Sequence, residues 1–207
     1  MNKKTKILAV GDLHGDTGLA KKLAAKAKKE NVDLIILAGD MTWFEQSVKN
    51  LIGPFAKTKK PVLMIPGNHE SFATNDFLVE MYFPEAKNLH GYSFIKGDLG
   101  IFGAGGATQV GPTSILSERQ MFSLLKKGFE KVKNSPKKIM ITHEHPEGSK
   151  SAFSGYISGS KSIAKAIKEF KPDLHIHSHV HEAEGFEEQI GKTKVVNIGK
   201  HGRIFEV

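Results

Sequence analysis

The sequence predicts an α/β fold organised on a parallel sheet that is covered on its faces, and three observations predict it. Near-continuous apolar runs recur at Lys6–Val10, Asp33–Ala38 (DLIILA), Pro61–Ile65 (PVLMI) and Lys138–Thr142 (KIMIT). Strands buried on both faces read this way, whereas half-exposed strands alternate. Between the runs lie segments whose apolar residues repeat at helical spacing. Each run is also followed by polar residues of one kind, Gly, Asp, Asn or His, rather than by ordinary turn sequence. Strand alternating with helix is the pattern of a layered α/β domain.

The elements follow in order. Lys6–Val10 is the first strand, and Thr17–Asn31 a helix with Leu19, Leu23, Ala24 and Ala27 on one face and lysines on the other. Asp16 reads as its N-cap. Asp33–Ala38 is the second strand, a helix is expected over Trp43–Lys57, and Pro61–Ile65 is the third strand. A helix is expected over Phe72–Phe83. Tyr92–Lys96 and Leu99–Phe102 form a hairpin around Gly97-Asp98. Gly103–Ala107 lacks the G-x-G-x-x-G pattern of a dinucleotide loop and reads as a loop, or as a point of close backbone approach. Ser117–Lys133 is a helix with Met121, Leu124, Leu125 and Phe129 on one face, followed by the strand Lys138–Thr142. Gly148–Gly159, rich in Ser and Gly, is expected to be a mobile surface loop bordering a pocket. A helix over Lys161–Phe170 leads to a short strand at Asp173–Ile176. Gly185–Ile190, Thr193–Ile198 and Arg203–Val207 alternate apolar and polar residues and read as an antiparallel meander. Without repeats or linkers, residues 1–207 read as one domain.

Composition narrows the function classes. The chain carries 30 Lys and Arg against 22 Asp and Glu, a net charge of +8, so a polyanionic partner has to be weighed. The lysines are spread along helix faces, and Arg119 and Arg203 are the only arginines. Arginine is the preferred reader of base edges and phosphates, so nucleic acid is possible but not favoured. No window reaches the run of about 20 apolar residues that a membrane span needs. The first apolar run breaks at Gly11-Asp12, too early for a secretory leader. With no cysteine there is no disulfide framework, and a cytoplasmic setting is expected. Any metal must be held by His, Asp, Glu or Asn. Nothing in the sequence speaks to oligomeric state.

Five strands end in metal-type side chains: Asp12 and His14, Asp40, Asn68 and His69, His143, and His179 with His181. Ligands of open α/β sheets bind at that edge, and carboxylate oxygen with imidazole nitrogen suits a divalent ion. Asp12 and His14 are two apart, so on extended backbone they point the same way. One such ending is explained by capping; five in one chain are not.

In the order and spacing of these residues the chain resembles the calcineurin-like metallophosphoesterases, marked by D-x-H, G-D, G-N-H-[DE], a lone His and G-H-x-H. Here they stand as Asp12-Leu13-His14, Gly39-Asp40, Gly67-Asn68-His69-Glu70, His143 and Ser178-His179-Val180-His181. The chain's size matches the small single-domain branch. Ser178 departs from the usual glycine, which is tolerable where φ stays negative, and His145 rivals His143. The resemblance implies a four-layer α-β-β-α sandwich of two mixed sheets flanked by helices. It also implies two divalent ions (Mn, Fe, Zn or Ni), one held by Asp12, His14 and His181 and the other by Asn68, His143 and His179, with Asp40 bridging. His69 would not ligate; it would stabilise the transition state or protonate the leaving group, with Glu70 orienting it or capping the next helix. The implied reaction is attack of a metal-bridging hydroxide on the phosphorus of a small phosphoester, a phosphodiester or cyclic nucleotide rather than a monoester. The alternatives are a nuclease, against which stand few arginines and no added domain, and a non-catalytic scaffold, against which stands the complete metal set.

The remaining histidines have plainer readings. His145 reads as a pocket-wall or surface residue, His90 and His201 as surface residues, and His177 as a partner of a ligand. Because His175, His177, His179 and His181 alternate, the strand is expected to end near His177, so that only the last two reach a metal. Loops Thr42–Gln46, Gly103–Thr113 and Gly148–Gly159 would read the substrate.

Overall fold

A computed structural model describes residues 4–154 and 158–207. The first half of the chain builds one sheet. Strands β1 (Lys6–Val10), β2 (Leu34–Ala38), β3 (Val62–Ile65) and β4 (Ala86–Asn88) lie parallel and in order, linked by helices α1 (Thr17–Lys29), α2 (Gly53–Ala56) and α3 (Phe72–Met81). The second half builds the other from β5 (Ser93–Lys96), β6 (Leu99–Ala104), α4 (Glu118–Val132), β7 (Lys137–Thr142), α5 (Lys161–Phe170), β8 (Leu174–His177), β9 (Glu187–Ile190) and β10 (Thr193–Asn197). The last strand, β11 (Arg203–Glu206), returns to the first sheet. The orders are β11-β1-β2-β3-β4 and β5-β6-β7-β8-β10-β9. β11, β5 and β9 are the antiparallel edges that make both sheets mixed.

The unbroken apolar runs have a simple cause: both faces of both sheets are covered. Ile7, Leu34, Ile36, Leu63 and Ile65 point inward and meet Ile101, Ile139, Ile141, Ile176 and Val196 of the second sheet. Their neighbours Leu8, Ile35 and Leu37 point outward under Leu23, Phe55 and Leu78 of the first helical layer. Phe102 and Met140 likewise pack under Met121, Leu125, Ile163 and Ile167. Burying one such side chain is worth roughly 1.5–3 kcal/mol, so the sequence is committed to four layers. The helices start where expected: Asp16 accepts from the Leu19 N–H at 2.8 Å, and Ser117 with Gln120 forms a capping box. Among the described residues, no helix is long and apolar enough to cross a membrane.

Three expectations are corrected. The helix over Trp43–Lys57 shrinks to Gly53–Ala56. Pro54 stands inside the expected span, where it removes an N–H and clashes with the preceding turn. Upstream, the Glu45 carboxylate is held outside the loop by the Ser71 N–H at 2.7 Å and Thr74 Oγ1 at 2.5 Å. The C-terminal meander is split. β9 and β10 form a hairpin with β10 parallel to β8, while β11 crosses to β1 and places Phe205 opposite Ile7 in the inner core. Alternation reveals a strand but not its partner. β4 has only three residues, too few to show a period. Of the expected loop at 148–159, Lys150–Ser154 forms a 3₁₀ turn; residues 155–157 lie outside the described residues.

Candidate metal centre

Strands β1, β2, β3, β7 and β8 deliver their C-terminal ends to one edge, where the two sheets meet. The chain does not leave them extended. Asp12 (φ 51°), His14 (φ 44°), Asp40 (φ 52°) and His179 (φ 74°) all sit in the left-handed region. Asp12 and His14 are therefore brought together by a turn, not by a shared strand face. The Asp12 N–H donates to Gly39 O at 3.1 Å, His14 N–H to Asp40 O at 2.9 Å and Gly15 N–H to Met41 O at 2.9 Å. Such backbone costs on the order of 1–3 kcal/mol per residue and clusters at functional sites.

Asp40 is the hub. Its Oδ1 accepts the His69 N–H at 2.9 Å. Its Oδ2 lies 3.3 Å from His143 Nε2, 3.7 Å from His14 Nε2 and 3.9 Å from His69 Nε2. Glycine at 67 is obligatory for this placement, because a Cβ there would fall 1.9 Å from Asp40 Oδ1. Asn68 Oδ1 is 2.9 Å from His143 Nε2, whose other nitrogen, Nδ1, donates to Ala38 O at 2.8 Å. On the other side, both Asp12 oxygens accept the His179 N–H at 3.2 Å. His181 Nε2 stands 4.0 Å from Asp12 Oδ1 and 3.0 Å from His14 Nε2.

The electrostatics follow from burial around one charged pair. Burial disfavours the charge on both Asp40 and His143, but each outweighs that cost for the other. Asp40 is held below the usual carboxylate range and His143 is raised to about 10. Burial lowers His14 to about 4 and His179 to about 3, and it raises Asp12 to about 6 against the pull of His143. His14 and His179 are thus neutral at pH 7, the form in which imidazole ligates. Metal entry would have to displace the His143 proton.

The donor set fits divalent ions. Among the described residues, three groups hold their donor atoms within 4.8 Å of one another: Asp12, His14 and His181; His14, Asp40 and His69; and Asp40, His143 and His179. His179 Nε2 is buried without a hydrogen-bond partner, a cost that a cation removes. All the expected site residues therefore converge. His69, expected not to ligate, has its Nε2 3.9 Å from Asp40 Oδ2, against 3.7 Å for His14.

Neighbouring residues explain the departures from the sequence pattern. Ser178 keeps a negative φ, and the left-handed turn falls one residue later, at His179. The Ser178 hydroxyl donates to Ala38 O at 3.0 Å and lies 3.1 Å from His143 Nδ1. Gly11 leaves room for it, since a Cβ there would be 2.5 Å from Ser178 Cβ. Glu70 neither caps α3, which Ser71 does, nor bonds the His69 ring. It is buried, raised to about 7 by burial, and accepts the N–H groups of Gly67 at 2.9 Å, Met41 at 3.3 Å and Thr42 at 3.4 Å. It clamps the Asp40 turn to the Asn68 turn. The Gly103–Thr113 segment also approaches closely: Gly106 N–H donates to Pro66 O, and the Thr113 N–H and hydroxyl both donate to Asn68 O.

Other histidines lie apart. β8 ends at His177, as the spacing predicts. His145, His175 and His177 are buried, the last two within β8 itself, so His145 is no surface residue. His175 Nε2 meets Thr142 Oγ1 at 2.7 Å; His177 Nε2 meets Ser151 Oγ at 3.4 Å, and its Nδ1 meets Ser178 O at 3.2 Å. His177 therefore makes no bond to a candidate ligand side chain. His90 is half-buried rather than a surface residue; its Nδ1 accepts the Gly105 N–H at 3.0 Å, and burial lowers it to about 4. His201 is exposed and pairs with Glu184 at 2.9 Å. The sequence reading missed Trp43 and Phe44 as individual site residues. Trp43 stacks on His69 with centroids 4.8 Å apart, and Phe44 lies 4.5 Å from the same ring. Their only sequence signal is two adjacent aromatics just after Gly39-Asp40.

Comparison with known proteins agrees with this fold. The profile of the family described as calcineurin-like phosphoesterase matches residues 5–183. Similar solved structures include TT1561 of Thermus thermophilus, 22% identical over 96% of this chain and 90% of that one, with a TM-score of 0.76. Phosphopantetheinyl hydrolase from Mycobacterium tuberculosis is 13% identical over 97% and 92%, at 0.67. A dimetal phosphatase from Danio rerio is 11% identical over 97% and 88%, at 0.66. No curated protein sequence matches the chain.

Proposed function

The chain belongs to the calcineurin-like phosphoesterase family, whose members are metal-dependent phosphohydrolases, and from that premise we propose a dinuclear phosphodiesterase built on residues 1–207 as one domain. The observation that carries this reading is the position of Asp40. One carboxylate oxygen faces His143 at 3.3 Å and His14 at 3.7 Å, residues of the two donor groups on either side. A carboxylate so placed can bridge two cations and offset their repulsion. In this reading Asp12, His14 and His181 hold one ion, and Asn68, His143 and His179 the other. Mn, Fe, Zn and Ni all suit the mixed donor set.

Bound metal would supply a nucleophile at neutral pH and charge stabilisation at the phosphoryl oxygens. The remaining work belongs to the chain. Asp40 fixes the His69 backbone through its Oδ1, so the imidazole is held at the rim with its position set by the hub. Burial lowers His69, with Asp40 opposing, and the ring stands where its N–H can donate to the leaving oxygen, stabilising the transition state or passing a proton to it. Ser178 and Ala38 O hold His143 Nδ1, which turns Nε2 into the site. Preference for a diester rests on charge. The extra charge of a monoester dianion would be matched by a bidentate arginine; Arg203 is instead ion-paired to Glu187 at 3.1 Å, and Arg119 lies beside Glu118 and Phe122 on the α4 side.

The test is a hydrolysis screen of mono- and diesters with Mn²⁺ added, alongside metal analysis of protein purified without chelator. Up to two ions per chain and faster diester cleavage are expected. Hydrolysis by protein that stays metal-free would overturn the reading.

A further inference from the structure

Trp43 and Phe44 are large apolar side chains left 43% and 46% exposed at the rim of a polar site. Trp43 stacks on His69 at an interplanar angle of 29° and meets the His14 ring edge-on at 5.0 Å. Phe44 meets Trp43 at 4.7 Å and 89°, making a corner of two rings around His69. Leaving this much aromatic surface in water is unfavourable, and the backbone is strained to do so. Phe44 (φ 50°) and Glu45 (φ 58°) are both left-handed. The loop is pinned there from two sides. Thr42 Oγ1 donates to His69 O at 3.2 Å, and Glu45 is tethered to Ser71 and Thr74 at the start of α3.

We propose that Trp43 and Phe44 form a stacking wall for the leaving group, and that the substrate carries a nucleobase on the alcohol it releases. The inference rests on the phosphoesterase reading, in which His69 protonates the leaving oxygen; whatever is attached to that oxygen lies beside His69 and hence beside Trp43. Stacking on an aromatic wall is open to any flat ring. Its selectivity is for a base over a sugar or an alkyl chain, not for one base over another.

Trp43 is the only tryptophan in the chain, so its fluorescence reports stacking without any turnover. The full-length Zn²⁺-loaded protein is titrated with adenosine 5′-monophosphate and with ribose 5-phosphate, which differ only by the base. Quenching of Trp43 by the nucleotide alone, with at least tenfold tighter binding, is expected from the usual strength of base stacking. In parallel, kcat/KM is measured for 2′,3′-cyclic AMP and glycerol 1,2-cyclic phosphate, which share the same cyclic diester. Trp43→Ala should cut the ratio between the two substrates by about tenfold or more, and Trp43→Phe should keep most of it. Equal binding of nucleotide and sugar phosphate, or an unchanged ratio in Trp43→Ala, would overturn the proposal and reduce the rings to packing for His69. Failure of the metal-loaded protein to cleave any phosphoester would overturn the phosphoesterase reading instead, and the fluorescence titration would still decide whether a base is bound.

Discussion

Two groups of histidines, in or just after the same pair of strands, live under opposite electrostatics. His143 and His179 follow β7 and β8 into the space around Asp12 and Asp40, where His143 is raised to about 10 beside Asp40. His145 also follows β7, and His175 and His177 belong to β8 itself, where the partners of His175 and His177 are hydroxyls and a carbonyl. There burial governs: His175 is lowered to about 3, and His177 well below its ordinary value. Burial is nearly complete in both places, so burial does not distinguish a metal site from a polar core. The carboxylates do. Imidazoles facing a buried carboxylate form a cation-binding set, whereas imidazoles facing hydroxyls remain neutral.

Removing the carboxylate breaks the contrast most completely. Asp40→Asn should lower metal occupancy and turnover together by more than about a hundredfold, since loss of even a ligand's supporting partner costs 10–100-fold; metal analysis and diester hydrolysis check it. Next comes the group assigned to proton transfer. His69→Ala should keep its metal and lose about 10²–10⁴-fold in turnover. Metal loss in that variant would make His69 a ligand, as its 3.9 Å approach to Asp40 Oδ2 allows.

The polar cluster gives a smaller effect with a definite sign. The folded pKa of His175, about 3, lies below its ordinary value of 6.5. Between those values the unfolded chain binds a proton that the folded chain refuses, so stability falls as pH drops below 6.5. The metal-free protein should therefore lose up to about 1.4 kcal/mol per pH unit from this group, and His175→Gln should flatten the slope in urea titrations at pH 4–6. The smallest effect sharpens the boundary between the clusters: His145→Gln should leave metal content unchanged, while His143→Gln should lose it.

Much of this is legible in the sequence because the strands are buried on both faces. An apolar run that halts at Asp or His marks both the strand and the edge its end reaches, and that reading places Asp12, Asp40, Asn68, His143 and His179 together. The local geometry is not legible. Asp12 and His14 look like same-face residues of an extended strand but meet through left-handed turns, and a period of two carries no information about where extension stops. The role of Glu70 is hidden because a buried clamp on three backbone N–H groups has the same sequence signature as a helix-capping acid. Trp43 and Phe44 read only as the start of an expected helix and as part of the loop Thr42–Gln46, since an exposed aromatic and a core aromatic are the same letter. The partner of β11 depends on a crossover between sheets, which no local pattern encodes.

That crossover sets a timetable. β1 is made long before β11, and one of its edges stays open until Arg203–Glu206 pairs with it, Lys6 to Glu206 through Ala9 to Arg203. The Gly11 N–H, one residue before Asp12, waits for Gly199 O, which it reaches at 3.0 Å. A chain still being synthesised therefore holds Asp12 on an unsealed strand. A chain cut before Arg203 would present β1 as an exposed apolar edge, the template on which strands of other molecules add. Its first failure would be aggregation during biogenesis, ahead of any defect in chemistry.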